Sequence, residues 1–335
     1  MGQSNMGQSN KEQSNKEHRD TKQNNDYALA LDIGGTKIAA ALVNRQGAVI
    51  HRHVRATRAD LGAPAILKTT REAGREMLET ASRYHLQVNA IGIGTGGQVD
   101  VTRGSIAYAS DTLPGWSGLP LANEVEESLK LPTFVDNDVN AVALGEHYFG
   151  AGRGYRAALY VAVGTGVGGA LVINGEIWRG ATWSAGEICH LVIDYDGKRR
   201  CSCGATGHLE AYTSGPAMTQ RYRELSGTRE SPDLKAIAAY ARQGDSHALR
   251  AIAEGAQILG TALGGVLNVI DAELLVIGGG VPEMGDLWWR HFETALRANP
   301  MPGPANVHLR PAQLGTDAAL AGAAWLAFTG YAAKQ

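Results

Sequence analysis

The chain has 335 residues, of which 44% are hydrophobic, and its formal net charge at pH 7 is only -2. This is enough apolar material for one large domain or two medium lobes. Acidic and basic residues are interspersed, so the composition lacks the broad basic surface that nucleic-acid-binding or membrane-surface proteins use. We therefore expect neither nucleic acid nor a membrane as a partner, but a small neutral or weakly charged ligand.

Residues 1–26 consist of a polar five-residue unit repeated with variations, MGQSN, MGQSN, KEQSN and KEHRD. Such a segment cannot bury enough apolar surface to offset the entropy lost on folding, so we expect a disordered tail. It lacks the pattern of a signal peptide. No later apolar run approaches the roughly 20 residues of a membrane-spanning helix. These features predict a cytoplasmic protein.

Ordered structure is expected from Tyr27 onward. The runs ALALDI, AALV and VIHRHV are separated by glycine-containing turns, which predicts an antiparallel meander. Residues 64–86 carry apolar side chains at helical spacing, and NAIGIGTGG after them reads as a buried strand that ends in glycines. The first half is therefore built of strands, a helix and a further strand.

The second half repeats this pattern. A strand and a glycine turn begin near Ala157, long helical patterns cover 233–270, and LLVIGGGV precedes a helical C-terminus. Two comparable halves predict two α/β lobes, at 27–140 and 141–335, with a ligand cleft between them. We expect the C-terminal helix to pack back on the first lobe.

Three glycine-rich turns follow predicted strands and suit the phosphates of a nucleotide. Glycine lets backbone N–H groups approach a polyanion closely, and none of the turns has the Walker A or Rossmann pattern. The carboxylate before the first turn would hold a hydrated Mg²⁺ that bridges the phosphates. The residues concerned are Asp32, Gly34, Gly35, Thr36 and Lys37, then Gly164, Thr165, Gly166 and Gly168, and finally Gly278, Gly279 and Gly280.

The segment VDNDVNAVALGE predicts a strand that ends in Asp136, Asn137 and Asp138, followed by a helix. A carboxylate at a strand end, beside an amide, can orient a hydroxyl and take its proton during phosphoryl transfer. An aspartate in the same position can simply cap the helix. The residues alone leave both roles open, with Asp136 or Asn140 the better candidates for a structural part.

All three cysteines lie in one short stretch, which is a poor disulfide framework and a better metal site. Within it, His190, Cys201, Cys203 and His208 supply two imidazoles and two thiolates. Four such ligands suit tetrahedral Zn²⁺ and leave no position for a reactive water, so the site would be structural. Cys189 is expected to be a small buried side chain.

These motifs resemble those of the ROK family (repressor, open reading frame, kinase) over 27–330. The resemblance rests on DIGGTK, VDNDVNA, GTGVGG and above all GEICHLVIDYDGKRRCSCGATGHLE, which is similar to the family signature Gly-Glu-x-Gly-His followed by Cys-x-Cys-Gly-x-x-Gly-Cys-x-Glu. It implies an actin-like, hexokinase-like two-lobe α/β fold of the ribonuclease H type. ATP would bind the glycine turns, and a dimer or tetramer is implied.

The resemblance also assigns roles to residues. It makes Asp138 the catalytic base of an ATP-dependent sugar kinase, acting on the 6-hydroxyl of a hexose such as glucose or of an N-acetylhexosamine. The sugar contacts it implies are Gly96, Gly97, Asn137, Asp138, Glu187, His190 and Glu210. Its zinc ligands are the four named above.

The sequence departs from the family pattern at three positions. Cys189 replaces a glycine, His208 replaces the third cysteine, and Thr112 stands where many glucokinases of the family have asparagine. The stretch 94–116 is equally similar to N-acetylmannosamine kinase domains, so the sugar stays open. Some family members are sugar-responsive repressors with a helix-turn-helix domain, which the segment 1–26 is too short to supply.

Overall fold

A computed structural model describes residues 26–230 and 232–335, which form twelve strands and nine α-helices. The predicted tail lies outside this part of the chain, except for Asp26. The strands are β1 Asp26–Ile33, β2 Lys37–Asn44, β3 Val49–Ala56, β4 Gln87–Thr95, β5 Gln98–Asp100, β6 Ser105–Tyr108, β7 Thr133–Asn137, β8 Ala158–Val163, β9 Val167–Ile173, β10 Glu176–Trp178, β11 Leu274–Gly278 and β12 His308–Pro311. The helices are α1 Ala63–Arg83, α2 Leu121–Leu129, α3 Asp138–Phe149, α4 Glu210–Thr213, α5 Gly215–Ser226, α6 Leu234–Arg242, α7 Ser246–Ile270, α8 Asp286–Ala298 and α9 Ala318–Lys334.

The chain divides into two compact units. The described part of unit 1 comprises 26–145 and Asp317–Gln335, and unit 2 comprises Glu146–Thr316. The division falls a few residues after the predicted lobe boundary because α3, which starts at the predicted strand end, continues past it. Helix α9 belongs to unit 1.

Unit 1 has a five-stranded sheet in the order β3-β2-β1-β4-β7. The first three strands form the predicted antiparallel meander, and β1, β4 and β7 run parallel. Side chains alternate across the sheet, so Leu29 and Leu31 face the core shared with α1 and α2 while Ala28 and Ala30 face α9. Small residues on the α9 side let helix and sheet approach closely.

Unit 2 repeats the arrangement with the order β10-β9-β8-β11-β12. Its first three strands by sequence, β8 to β10, pair antiparallel, and β8, β11 and β12 run parallel. Its core packs between this sheet and the long helices α7 and α8. The helical pattern predicted over 233–270 is two helices, because Gly244 adopts φ 92° and Asp245 then caps α7 by accepting from the N–H of Ala248.

Together these observations confirm the predicted α/β class, with one strand order used twice. No helix within 26–230 and 232–335 has both the length and the apolar character needed to cross a membrane.

The chain passes from unit 1 into unit 2 within α3, and a buried carboxylate marks the passage. Glu146 is 0% exposed. Its Oε1 accepts from the N–H groups of Gln313 and Leu314 at 2.9 and 2.7 Å, and its Oε2 accepts from the N–H of Ala151 at 3.0 Å. The first residue of unit 2 is therefore bound to the segment with which unit 2 ends, and its charge is satisfied by backbone donors.

Candidate functional site

The first glycine turn connects β1 to β2 in unit 1. The N–H of Gly34 donates to the carbonyl of Lys37 at 3.0 Å, which closes the turn. Thr57, at the end of β3, donates its hydroxyl to the carbonyl of Gly34 at 2.6 Å and its N–H to the carbonyl of Thr36 at 3.0 Å. Thr36 and Lys37 are exposed. The turn is thus held from one side while its polar side chains face solvent.

Two carboxylates lie near this turn. Burial, followed by the charge of Asp138, raises the pKa of Asp32 to about 6, although Lys37 and Arg52 act in the opposite direction. Asp32 is the half-buried residue before the last in β1, and Asp138 is the first residue of α3, directly after β7. Because two neighbouring carboxylates repel each other, a divalent cation at this place would stabilise both in their ionised form.

The side chains at the end of β7 and the start of α3 differ in their contacts, and these contacts distinguish structural residues from the candidate catalytic one. Asp136 is 1% exposed and accepts from the side chain of Asn140 at 2.8 Å, so this pair is structural, as expected. The side-chain oxygen of Asn137 accepts from the N–H groups of Val139 and Asn140 at 2.9 and 3.2 Å and caps the helix. Its amide nitrogen donates to the carbonyl of Gly97 at 2.9 Å. Asn137 therefore fixes the backbone at the point where Asp138 begins α3 and ties it to Gly97.

The glycines at the end of β4 are shaped by the loop that contains Thr112. Gly97 has φ 104°, and a Cβ there would lie 2.4 Å from the carbonyl oxygen of Tyr108. A Cβ on Gly35 would lie 3.0 Å from the carbonyl oxygen of Thr112, and one on Gly96 would lie 3.3 Å from a neighbouring leucine. The loop thus packs directly against both the first glycine turn and the glycines predicted to contact a sugar. Any larger residue at Gly97 would force it away.

Unit 2 brings the four predicted metal ligands together. One donor atom from each of His190, Cys201, Cys203 and His208 lies within 4.8 Å of the others. The closest pairs are Cys203 Sγ with His208 Nδ1 at 3.3 Å and Cys201 Sγ with His190 Nδ1 at 3.8 Å. Two imidazoles and two thiols at this spacing are a donor set that fits tetrahedral Zn²⁺. His208 therefore occupies the place of the cysteine in the family signature.

Cys189, the remaining thiol, is 5% exposed. Burial, and then the charge of Glu187, raises the pKa of its thiol, which keeps it in the neutral form. Its Sγ donates to Glu187 at 3.4 Å. It is the buried side chain that the sequence predicted.

Two glutamates flank the metal cluster. Glu187 Oε2 lies 3.6 Å from Nε2 of His190, the ring nitrogen that does not face Cys201. Glu210 Oε1 accepts from the hydroxyl of Ser202 at 2.5 Å, and its Oε2 accepts from the N–H of Val167 at 3.1 Å. Gly166 approaches the same carboxylate, since a Cβ there would lie 2.7 Å from it. Glu210 thus joins the metal loop to the glycine turn between β8 and β9.

A cavity of about 920 Å³ opens beside that turn, within unit 2. Gly164, Thr165 and Gly280 line it, so the turn after β8 and the turn after β11 meet there. Gly278 and Gly279 do not line it. Gly279 has φ 90°, and a Cβ would lie 2.3 Å from the carbonyl of Val163, which makes its role structural. The volume and mixed lining suit a nucleotide-sized ligand.

Most of the cavity wall was not predicted from the sequence. It includes Pro216 at the start of α5, Lys235 and Arg242 on α6, and the apolar Met284. The start of α5 carried a signal that could have been used, since Ser214 is an N-cap residue followed by glycine and proline. The N–H of Gly215 donates to the carbonyl of Gly164 at 2.8 Å, which fixes this helix end at the turn. The α6 residues carry no comparable local signal.

Comparison with known proteins agrees with these features. The chain is 32% identical to a glucokinase of Halalkalibacterium halodurans over 89% of this chain and 94% of that protein. It is 34% identical to an N-acetylmannosamine kinase of Escherichia fergusonii over 89% and 97% of the two chains. A crystal structure of a ROK family glucokinase from Streptomyces griseus, in complex with glucose and AMPPNP, is similar with a TM-score of 0.77 and 32% identity, covering 91% of this chain and all of that one.

The sequence profile of the ROK family matches residues 28–329. This range begins in β1 and ends in α9, so it takes in both sheets, the metal cluster and every glycine turn described above. The resemblance inferred from the motifs is confirmed, and the chain belongs to the ROK family.

Proposed function

We propose that this protein is an ATP-dependent kinase that phosphorylates a hexose or an N-acetylhexosamine, at its 6-hydroxyl. The observation that supports this most is the position of Glu210, whose two oxygens accept from Val167 in the glycine turn and from Ser202 in the metal loop. One carboxylate thereby connects a phosphate-binding turn to a loop that suits sugar hydroxyls. Transfer between two substrates requires their sites to be held in this way.

Asp138 would be the catalytic base. In the proposed reaction its carboxylate takes the proton of the sugar hydroxyl, the hydroxyl oxygen forms a bond to the γ-phosphorus of ATP, and ADP leaves with the electrons of the broken bond. Asp138 starts α3, and its Oδ1 lies 3.0 Å from the N–H of Val139. The helix N-terminus favours the ionised form that a base needs. Positioning and charge stabilisation would supply most of the rate.

Asp32 would hold a hydrated Mg²⁺ beside the phosphates of ATP. When bound, the ion would neutralise the negative charge that develops on the phosphates during transfer. The proximity of Asp32 to Asp138 supports this role, because it raises the pKa of Asp32 and makes the place attractive to a cation. Thr36 and Lys37 would contribute a hydroxyl and a positive charge to the same phosphates.

His190, Cys201, Cys203 and His208 would hold structural Zn²⁺. When bound, the ion fixes the loop, and its four protein ligands leave no position for catalysis. With Nδ1 of His190 directed to the cluster, its Nε2 faces Glu187 and is free to take part in hydrogen bonds with a sugar. Glu187 and Glu210 would accept from sugar hydroxyls, and Asn137, Gly96 and Gly97 are the further sugar contacts that the family resemblance implies.

ATP would place its base and ribose in the cavity of unit 2. The lining supports this assignment, since it combines apolar residues such as Met284 with the cations Arg223, Lys235 and Arg242. Gly164 and Thr165, at one end of the cavity, would then meet the phosphates.

The acceptor sugar is to be identified by assay. Glucose, N-acetylmannosamine, N-acetylglucosamine, mannose and fructose would each be tested with ATP and Mg²⁺ by measuring ADP formation. Thr112 contacts Ser110, with their hydroxyls 2.8 Å apart, in the loop that packs on the phosphate turn. Thr112→Asn is therefore expected to change the ratio of kcat/KM between glucose and the N-acetyl sugars.

The test of the proposal is Asp138→Asn. We expect turnover to fall by about three orders of magnitude, since the base is removed, while sugar binding measured by calorimetry is kept. Asp196→Asn is the matched control, because the side chain of Asp196 is 78% exposed and lies 3.7 Å from the ammonium group of Lys198. Retention of most activity by Asp138→Asn would remove Asp138 from its role. Sugar binding by the natural protein without phosphorylation of any of the five sugars would instead favour a sugar-responsive regulator.

A further inference from the structure

A second cavity, of about 480 Å³, lies in unit 1 between the end of β3 and the first half of α1. Its charged lining consists of Arg55, Arg58, Lys68 and a single carboxylate, Glu72. With three cationic side chains and one carboxylate, the cavity is electropositive, although the net charge of the whole chain is negative. The cavity is separate from the nucleotide cavity, which lies in unit 2.

The cations of this cavity differ in what they bind. Arg55 is neutralised, because one guanidinium nitrogen lies 3.2 Å from Glu72 and another contacts Glu76. Among residues 26–230 and 232–335, neither Arg58 nor Lys68 has a carboxylate within 4.0 Å, and both are exposed. The carboxylate in the lining, Glu72, pairs with Arg55, so Arg58 and Lys68 favour an anionic ligand.

The backbone fixes the direction of Arg58. This residue has φ 57° and ψ 43°, a left-handed conformation that is uncommon for arginine. It directly follows Thr57, whose hydroxyl and N–H hold the carbonyls of the phosphate turn. Strained residues that the surrounding structure holds in place are common at ligand sites. An occupant of the cavity would therefore lie one residue from the element that shapes the phosphate turn.

The rest of the lining is apolar except for Thr69, whose hydroxyl donates to the carbonyl of Ala65 at 2.9 Å. Leu61 is 53% exposed, and Ala65 lies one helical turn before Lys68 on α1. An apolar surface next to two cations suits a ligand with a phosphate at one end and the C–H face of a sugar ring at the other. We propose that this cavity binds a phosphate monoester, with Arg58 and Lys68 on the phosphate and Leu61 beneath the organic part. This site is additional to the reaction site proposed above.

Calorimetric titration of the full chain with glucose 6-phosphate tests the proposal. Glucose and AMPPNP are present in excess, so that the proposed reaction site is occupied, and the salt concentration is kept low because screening weakens such contacts. We expect one bound ligand per chain, and about tenfold weaker binding for Arg58→Ala and for Lys68→Ala. Arg83→Ala is the matched control, since Arg83 is an exposed cation at the far end of the same helix and should leave binding unchanged.

Inorganic phosphate is the second arm. Weaker binding of phosphate than of glucose 6-phosphate identifies the ester as the ligand, and equal binding identifies the phosphate group as the recognised part. Both results support the cavity if they depend on Arg58 and Lys68. Unchanged affinity in both alanine variants, or no binding by the natural protein, overturns the proposal. Because the readout is binding in variants outside the catalytic residues, it stays interpretable whether or not the kinase proposal holds.

Discussion

Replacement of Glu146 by glutamine should destabilise unit 2, although the two side chains have nearly the same size. The oxygen that faces Gln313 and Leu314 is kept, but the atom that accepts from Ala151 becomes an NH₂ group facing an N–H donor. One charge-assisted hydrogen bond is lost, and a buried donor is left without an acceptor. Each loss costs about 1–3 kcal/mol. Since the buried charge is removed as well, we expect a net loss of about 2–4 kcal/mol.

The loss of local stability can be measured as the amide hydrogen-exchange rate of the peptide 308–316, which contains Gln313 and Leu314. A loss of about 3 kcal/mol corresponds to roughly a hundredfold faster exchange where opening equilibrates before exchange. Glu176→Gln is the control, because Glu176 is exposed on β10 in the same unit. If Glu146→Gln changes protection by less than about threefold, the carboxylate does not hold the ends of unit 2 as described.

Three further changes test the site. Because the pKa of Asp32 is raised to about 6, its protonated form is favoured in the folded state, and this contribution to stability is lost as pH rises from about 4 through 6. Asp32→Asn should therefore raise the unfolding free energy by about 2 kcal/mol at pH 7.5 and by almost nothing at pH 4. An equal effect at both pH values would contradict the raised pKa. Cys203→Ser should lower the zinc content measured by mass spectrometry, whereas Cys189→Ala should keep it; loss of zinc from both variants would argue against the assigned ligands. Gly97→Ala should lower the free energy of unfolding by about 3 kcal/mol or more and weaken sugar binding, because the new Cβ meets a carbonyl oxygen. Gly118 has φ 80° with open space around it, so Gly118→Ala should lower the free energy of unfolding by about 1 kcal/mol. Equal costs for the two alanine variants would show that backbone conformation alone matters.

The features that could be predicted from the sequence are those with local signals. The apolar strands, their glycine turns and the ligand spacing from His190 to His208 are contiguous patterns. The four ligands lie together, and residues of the turns after β8 and β11 line one cavity. The confirmed class and family followed from them. The oligomeric state, the cytoplasmic location and the roles of individual site residues stay predictions.

The unpredicted features depend on contacts between distant segments. Glu146 has the sequence context of an ordinary helical glutamate, and two of its three backbone donors come from residues more than 160 positions later. Asn137 was expected at the sugar, yet its side-chain oxygen is used to cap α3, which depends on the exact residue at which the helix begins. The cavity residues of α6 fall into the same class, since no single residue there has an unusual pattern.

The discontinuity of unit 1 has a consequence for synthesis on the ribosome. Unit 2 is one continuous segment, Glu146–Thr316, and is synthesised before α9. The sheet strands β1, β2, β4 and β7 of unit 1 are made before unit 2, but the face that carries Ala28 and Ala30 packs against α9, which is made after unit 2. This apolar surface therefore stays without α9 during the synthesis of the whole of unit 2, and for that time it exposes the nascent chain to aggregation.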